Sequence, residues 1–139
     1  MIVDAFLDTN ILLYAAAGRH DASEKCEMSL QLIEDANFGL SGQVLSEFYN
    51  NATRKLAVPL TPDEASDWVV RLARVPTVPV DAELVQAGIV ASRRYQLSYW
   101  DGAVVAAAQR LGAPVLYTED LNHGQAYGSV RVVNPFRDQ

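Results

Sequence analysis

Short apolar runs alternate along this chain with longer amphipathic segments, and that alternation constrains the fold more than any other feature. Short apolar runs bounded by turn residues read as strands, and amphipathic stretches between them read as crossover helices. Their alternation predicts an α/β layer fold around a parallel sheet. Residues 2–7 read as a first strand and 10–17 as a short helix. Residues 18–21 form a loop, with Asp21 or Ser23 as the cap of a helix running to about residue 36. Residues 38–41 make a second strand, and 43–56 a helix halted ahead of Pro59. Thr61-Pro62-Asp63-Glu64 combines a capping hydroxyl, a proline at the first helical position and a glutamate that closes a capping box, starting a helix that reaches about residue 73. Residues 77–80 read as a third strand, and Asp81 caps a helix to about residue 95. Ser98 opens another helix through residue 111, with Gly112 as its stop. Residues 114–118 are a fourth strand, Gly124 and Gly128 mark a loop, and 130–133 form a last short strand. The tail with Pro135 is expected to fray.

With 139 residues, half of them apolar and a fifth charged, the chain suits one domain over 1–139. A chain of this length buries about two-thirds of its unfolded surface, enough for a real core. No apolar run approaches the roughly 20 residues of a membrane span, so no membrane association is expected. The acidic start MIVDAFLDTN is unlike a secretory leader. Cys26, the single cysteine, excludes an internal disulfide and a cysteine zinc cage, and makes the cytoplasm the default compartment.

Four acids fall where strands end or where helices run along the sheet. Asp8 follows Ala5-Phe6-Leu7, and Asp120 follows Val115-Leu116-Tyr117. Glu47 lies in the second turn of the helix after the second strand, and Asp101 in the first turn of the helix opened by Ser98. The carboxyl ends of strands in an open parallel sheet form the ligand crevice. Asp8 and Asp120 therefore lie close together if strands one and four are neighbours. Each acid also has a plainer reading: Asp8 as a helix cap, Glu47 as a solvated helix acid, Asp101 as part of a capping box with Ser98, and Asp120 as a turn residue. Packed together, carboxylates repel and raise one another's pKa values, and a divalent cation relieves this. All-oxygen ligands favour Mg²⁺ or Mn²⁺, which can activate a water and polarise a phosphoryl oxygen. Such a set suits phosphodiester hydrolysis. The chain has no P-loop, no G-x-G-x-x-G after the first strand and no G-x-S-x-G elbow. His20 and His123 are too few for a histidine cage, and His123 could contact phosphate or be an ordinary loop residue.

Asp8-Thr9-Asn10 after an apolar strand, Glu47 within Gln43-Val44-Leu45-Ser46-Glu47-Phe48, Asp101-Gly102-Ala103 opening an alanine-rich helix, and Thr118-Glu119-Asp120 after the fourth strand together resemble the PIN domain. The likeness is to the VapC-type toxins of bacterial type II toxin–antitoxin pairs, and it covers essentially the whole chain. It implies a three-layer fold with a central parallel sheet of about five strands flanked by helices. It implies a metal-dependent endoribonuclease whose acids are Asp8, Glu47, Asp101 and Asp120, with Asp8 and Asp101 as direct ligands of Mg²⁺ or Mn²⁺. Thr9, Thr118 and Asn10 match positions that support the acids. It further implies an RNA substrate, a homodimer and inhibition by a small VapB-like antitoxin. Many relatives carry another acid two positions after the fourth, where this chain has Asn122.

The charge balance at first argues against nucleic acid, since 17 acids oppose 11 bases for a formal net charge of −6. Setting the four site acids aside from the 17 leaves 13 against 11, close to neutral. Arg19, Lys25, Arg54, Lys55, Arg93 and Arg94 are then candidates for an RNA-gripping rim, or ordinary surface charges. Nine of the 11 bases are arginine, which favours forked phosphate contacts. Tyr14, Tyr49, Tyr99 and Trp100 could stack on bases or pack in the core. The competing readings are a phosphoacceptor domain, which wants a lysine late in the chain where this one has none, a catalytically silent PIN-like binding module, and a flap-type DNA nuclease, which needs insertions this length excludes.

Overall fold

Five apolar runs become strands, and the local chemistry of their ends decides how long each strand is. The computed structural model describes residues 3–18 and 23–137. Its elements run β1 (Ala5–Leu7), α1 (Thr9–Ala17), α2 (Ser23–Asp35), β2 (Phe38–Ser41), α3 (Gly42–Ala52), α4 (Pro62–Leu72), β3 (Thr77–Val78), α5 (Ala82–Tyr95), α6 (Tyr99–Arg110), β4 (Val115–Tyr117), β5 (Ala126–Tyr127) and β6 (Val130–Val133). Ile2, Arg19, His20 and Asp21 lie outside the described residues, as does the side chain of Ser23. The Thr61–Glu64 capping box forms as expected, with both reciprocal bonds present, and Asp81 and Ser98 cap α5 and α6. The third strand stops at Val78 rather than residue 80, because Pro79 has no N–H for the ladder. Helix α3 ends at Ala52 rather than residue 56. The Leu60 amide takes the Ala52 carbonyl at 2.9 Å, and the Thr53 hydroxyl folds back onto the Tyr49 carbonyl at 2.9 Å.

The strands make one six-stranded sheet in the order β3-β2-β1-β4-β6-β5. All pairings are parallel except β5 with β6. The sheet thus has one strand beyond the five expected. Ala126–Tyr127 lies between Gly124 and Gly128 within a stretch that reads as a loop, and the hairpin is made possible by Gly128, whose φ of 62° is readily tolerated by glycine. From β1 the chain moves to β2 and β3 in one direction, then crosses to β4 and β6 in the other. Right-handed crossovers put α1–α4 on one face and α5–α6 on the other, and the contacts agree: α1 packs on α2 and α3, α3 on α4, and α5 on α6. Sandwiched between these layers, β1 is buried at every residue, and Phe6, Leu7, Leu40, Leu116, Val130 and Val132 have no solvent exposure.

The α5–α6 contact is unusually close. A Cβ at Gly102 would lie 2.7 Å from the Gly88 carbonyl oxygen and 2.7 Å from the Ser92 nitrogen. Only glycine lets the two backbones approach this far, and this fixes the first turn of α6 against its neighbour.

Candidate active site

The direction of the chain reverses between β1 and β4, and a sheet of this kind opens its crevice at the carboxyl ends of the strands flanking that point. Asp8 and Asp120 follow those two neighbouring strands. Asp8 is an extended residue that caps α1, its Oδ1 accepting from the Thr9 amide at 2.8 Å. Its Oδ2 accepts from the Thr118 hydroxyl, also at 2.8 Å. That hydroxyl in turn accepts from Asn10 Nδ2 and from the Asp120 amide, each at 3.1 Å. Asn10 Nδ2 also donates to Asp120 Oδ2 at 3.0 Å. One asparagine and one buried threonine therefore set the relative positions of two acids 112 residues apart in sequence.

The other two acids come from helices. Gln43, one turn before Glu47 on α3, donates its Nε2 to Glu47 Oε1 at 2.8 Å and to the Trp100 carbonyl at 3.3 Å. That second bond ties α3 to the start of α6. Asp101 lies in the first turn of α6, its amide donating to the Ser98 hydroxyl at 3.1 Å. Capping and site roles are thus compatible in Asp8 and Asp101, because a carboxylate at a helix start still has oxygens to offer the crevice. All four acids line one cavity of about 150 Å³, with Thr9, Asn10, Gln43 and Asn51 among the polar residues of its wall and no basic side chain.

Electrostatics follow from that wall. Asp8 is only 7 % exposed. Burial pushes its carboxyl up to about 6, partly offset by the Thr118 and Thr9 hydrogen bonds and reinforced by the charges of Asp120 and Glu47. Burial also raises Asp101, the Ser98 hydrogen bond opposes this, and the Asp120 charge adds to it. Burial and the Asp101 charge raise the Tyr127 hydroxyl. The cavity carries more negative charge than its surroundings compensate.

Four carboxylates in one wall, with no histidine or cysteine beside them, fit a hard divalent ion. Among the described residues, no three histidine, cysteine, aspartate or glutamate side chains are grouped so as to hold one ion as they stand. Mg²⁺ does not require three, since it takes one or two carboxylates and keeps much of its water. The Thr9 hydroxyl, buried in the same wall, has no hydrogen-bond partner among the described residues, leaving a polar atom for a bound group to satisfy.

Other residues singled out in the sequence lie elsewhere. His123 Nδ1 accepts from the Asn134 amide at 3.0 Å, the role of a loop residue. Lys25 pairs with Glu119 at 2.9 Å, while Tyr14 donates to the same carboxylate and packs edge-on against Phe136. Lys55 stands in hollows that adjoin the acid cavity. Arg54, Arg93 and Arg94 are exposed, as is Asn122. Sequence reasoning missed Gln43 and Asn51 as parts of the wall. The i, i+4 spacing of Gln43 and Glu47 was the available signal for the first, since such pairs meet on a helix face.

A family model described as PIN domain matches residues 5–128. A search of curated proteins finds no match. Among solved structures, the chain is similar to one from a toxin–antitoxin complex of Klebsiella pneumoniae, at 19 % identity and a TM-score of 0.70, covering 95 % of this chain and 98 % of that one. It is similar to VapC20 of Mycobacterium tuberculosis, a sarcin–ricin-loop-cleaving toxin, at 17 % identity and 0.63, covering 84 % and 91 %. It is also similar to VapBC2 of Rickettsia felis, bound to a DNA fragment from its promoter, at 16 % identity and 0.60, covering 95 % and 97 %.

Proposed function

The chain belongs to the PIN domain family, and we propose on that basis that it is a metal-dependent endoribonuclease, the toxin of a VapBC-type toxin–antitoxin pair. The observation that carries this reading is the convergence of Asp8, Glu47, Asp101 and Asp120, from four separate stretches of chain, on one acidic cavity. The toxin–antitoxin context is supported by the likeness of the fold to chains from such complexes. The protein acts in the cytoplasm as a homodimer, on RNA, and is held inactive by a cognate VapB-like antitoxin. Among the described residues no helix is long and apolar enough to cross a membrane.

Asp8 and Asp101 would hold Mg²⁺, or Mn²⁺, and the ion would supply charge compensation and Lewis acidity at a phosphoryl oxygen. The chain's own residues do the rest. Thr118 orients Asp8, Asn10 holds Asp120, and Gln43 holds Glu47. Glu47 and Asp120 are the carboxylates left to order water or accept a proton. The test is Mg²⁺-dependent cleavage of a mixed RNA pool by antitoxin-free protein beside an Asp101→Asn twin. Cleavage by the parent alone, stopped by chelator and leaving 5′-phosphate and 3′-hydroxyl ends, is the expected result. Chelator-resistant cleavage, 2′,3′-cyclic phosphate ends or equal activity in the twin would overturn it.

A further inference from the structure

Trp100 has 62 % of its surface in water, although it immediately precedes Asp101. The other tryptophan, Trp68, packs against Phe48 with ring centroids 6.0 Å apart. Leaving a large apolar ring in solvent sacrifices its burial, yet the ring is not loosely hung. Its backbone carbonyl accepts from Gln43. Its ring makes a T-shaped contact with that of Tyr99, centroids 5.0 Å apart at 73°, and Tyr99 is itself seated against Gly88, where a Cβ would lie 3.2 Å from the Tyr99 ring. The indole overlooks a hollow of about 550 Å³ between α3 and the start of α6, within the size range of small-ligand sites. That hollow shares Gln43, Glu47, Asn51 and Trp100 with the acid cavity, so the two adjoin.

We propose that this hollow is a nucleobase subsite, in which Trp100 stacks on a base flanking the scissile phosphodiester while the amides of Asn50 and Asn51 bond its edge and Lys55 meets its phosphate. This rests on the ribonuclease reading and deepens it. The place of the hollow favours nucleic acid over protein as occupant, since a chain whose phosphodiester lies at the carboxylates must run past the adjoining hollow. The wall is mixed: Val80, Tyr99 and Trp100 give it apolar faces, Glu47 an acid, and Gln43, Ser46, Asn50, Asn51 and Lys55 the donors and acceptors that a base and its phosphate need. Side-chain amides offer a donor and an acceptor side by side, as base edges do. A tryptophan face accepts any base, so the stacking supplies affinity for single-stranded RNA without sequence preference, and preference at this position comes from the Asn50 and Asn51 amides.

The test uses the full chain carrying Trp68→Phe, which leaves Trp100 as the only tryptophan. It is titrated in chelator with a randomised 12-nucleotide single-stranded RNA, and with a ribose–phosphate oligomer of equal length that lacks bases. Saturable quenching of indole fluorescence by the first and not the second is expected. With Mg²⁺, Trp100→Ala should raise KM about tenfold to 100-fold with kcat changed less than about threefold, and Trp100→Phe should recover most of the loss. Cleavage of the RNA without quenching would overturn the subsite and leave the nuclease reading intact. Neither cleavage nor quenching would overturn both. An unchanged KM in Trp100→Ala, with weakened inhibition by the antitoxin, would make the hollow a protein-docking surface instead.

Discussion

Asp8 is held in the fold at a cost that varies with pH, and the cost can be measured without any substrate. Its carboxyl stands at about 6 in the folded chain against 3.8 ordinarily. The folded state therefore holds this proton more tightly than the unfolded chain does. The resulting stability is fully present below about pH 4, is lost as pH rises to about 6, and stays lost above that. A shift of this size corresponds to about 3 kcal/mol. Asp8→Asn has no carboxyl to titrate, so the unfolding free energy of wild type minus variant should fall by about 2–3 kcal/mol between pH 4 and pH 7 in chelator. Asp101 shifts in the same direction, and hydrogen bonds pull the exposed Glu64 and Asp81 the other way. These groups are common to both proteins, so they drop out of the difference. The substitution also sets an amide N–H against a Thr118 hydroxyl that already accepts twice, a pH-independent offset of about 1 kcal/mol. Urea denaturation across the pH range reads both quantities. Millimolar Mg²⁺ should restore stability to the wild type at pH 7 by binding the folded state, and do little for the variant. A difference that is flat, or that rises with pH, would refute the argument: the Thr118 and Thr9 hydrogen bonds would then outweigh burial. Equal stabilisation of both proteins by Mg²⁺ would remove Asp8 from the proposed metal site.

Gly102→Ala should lower stability by about 1–3 kcal/mol and reduce cleavage further than the stability loss explains, since the new methyl drives α5 away from the turn that carries Asp101; thermal denaturation beside activity at a permissive temperature separates the two. Asn10→Ala should release Asp120 and lower kcat about tenfold with little change in RNA binding, as expected for a lost hydrogen bond to a charged group; an unchanged kcat would show that Asp120 needs no such support. Arg93→Ala with Arg94→Ala should weaken RNA binding and flatten its dependence on salt. An unaltered slope would return both to the ordinary surface.

Much of this molecule is legible locally. The capping box at Thr61–Glu64, the caps at Asp81 and Ser98, and the apolar runs of β1, β2, β4 and β6 act through neighbours a few residues away, so periodicity and capping chemistry suffice to find them. The same local patterns mark Asp8, Glu47, Asp101 and Asp120 as candidates. Their meeting in one cavity is another matter. It depends on β4 pairing with β1 rather than with β3, its predecessor in sequence, and strand order is a property of how the helical layers pack. The bond from Asn10 to Asp120 and the bridge from Gln43 to the Trp100 carbonyl span long stretches of chain, and the close approach at Gly88–Gly102 depends on the docking of two helices. So does the desolvation that raises Asp8, because burial is set by every layer at once. Residue types and spacing supply the acids; only the packed sheet creates the shared, poorly compensated charge that gives them a chemistry.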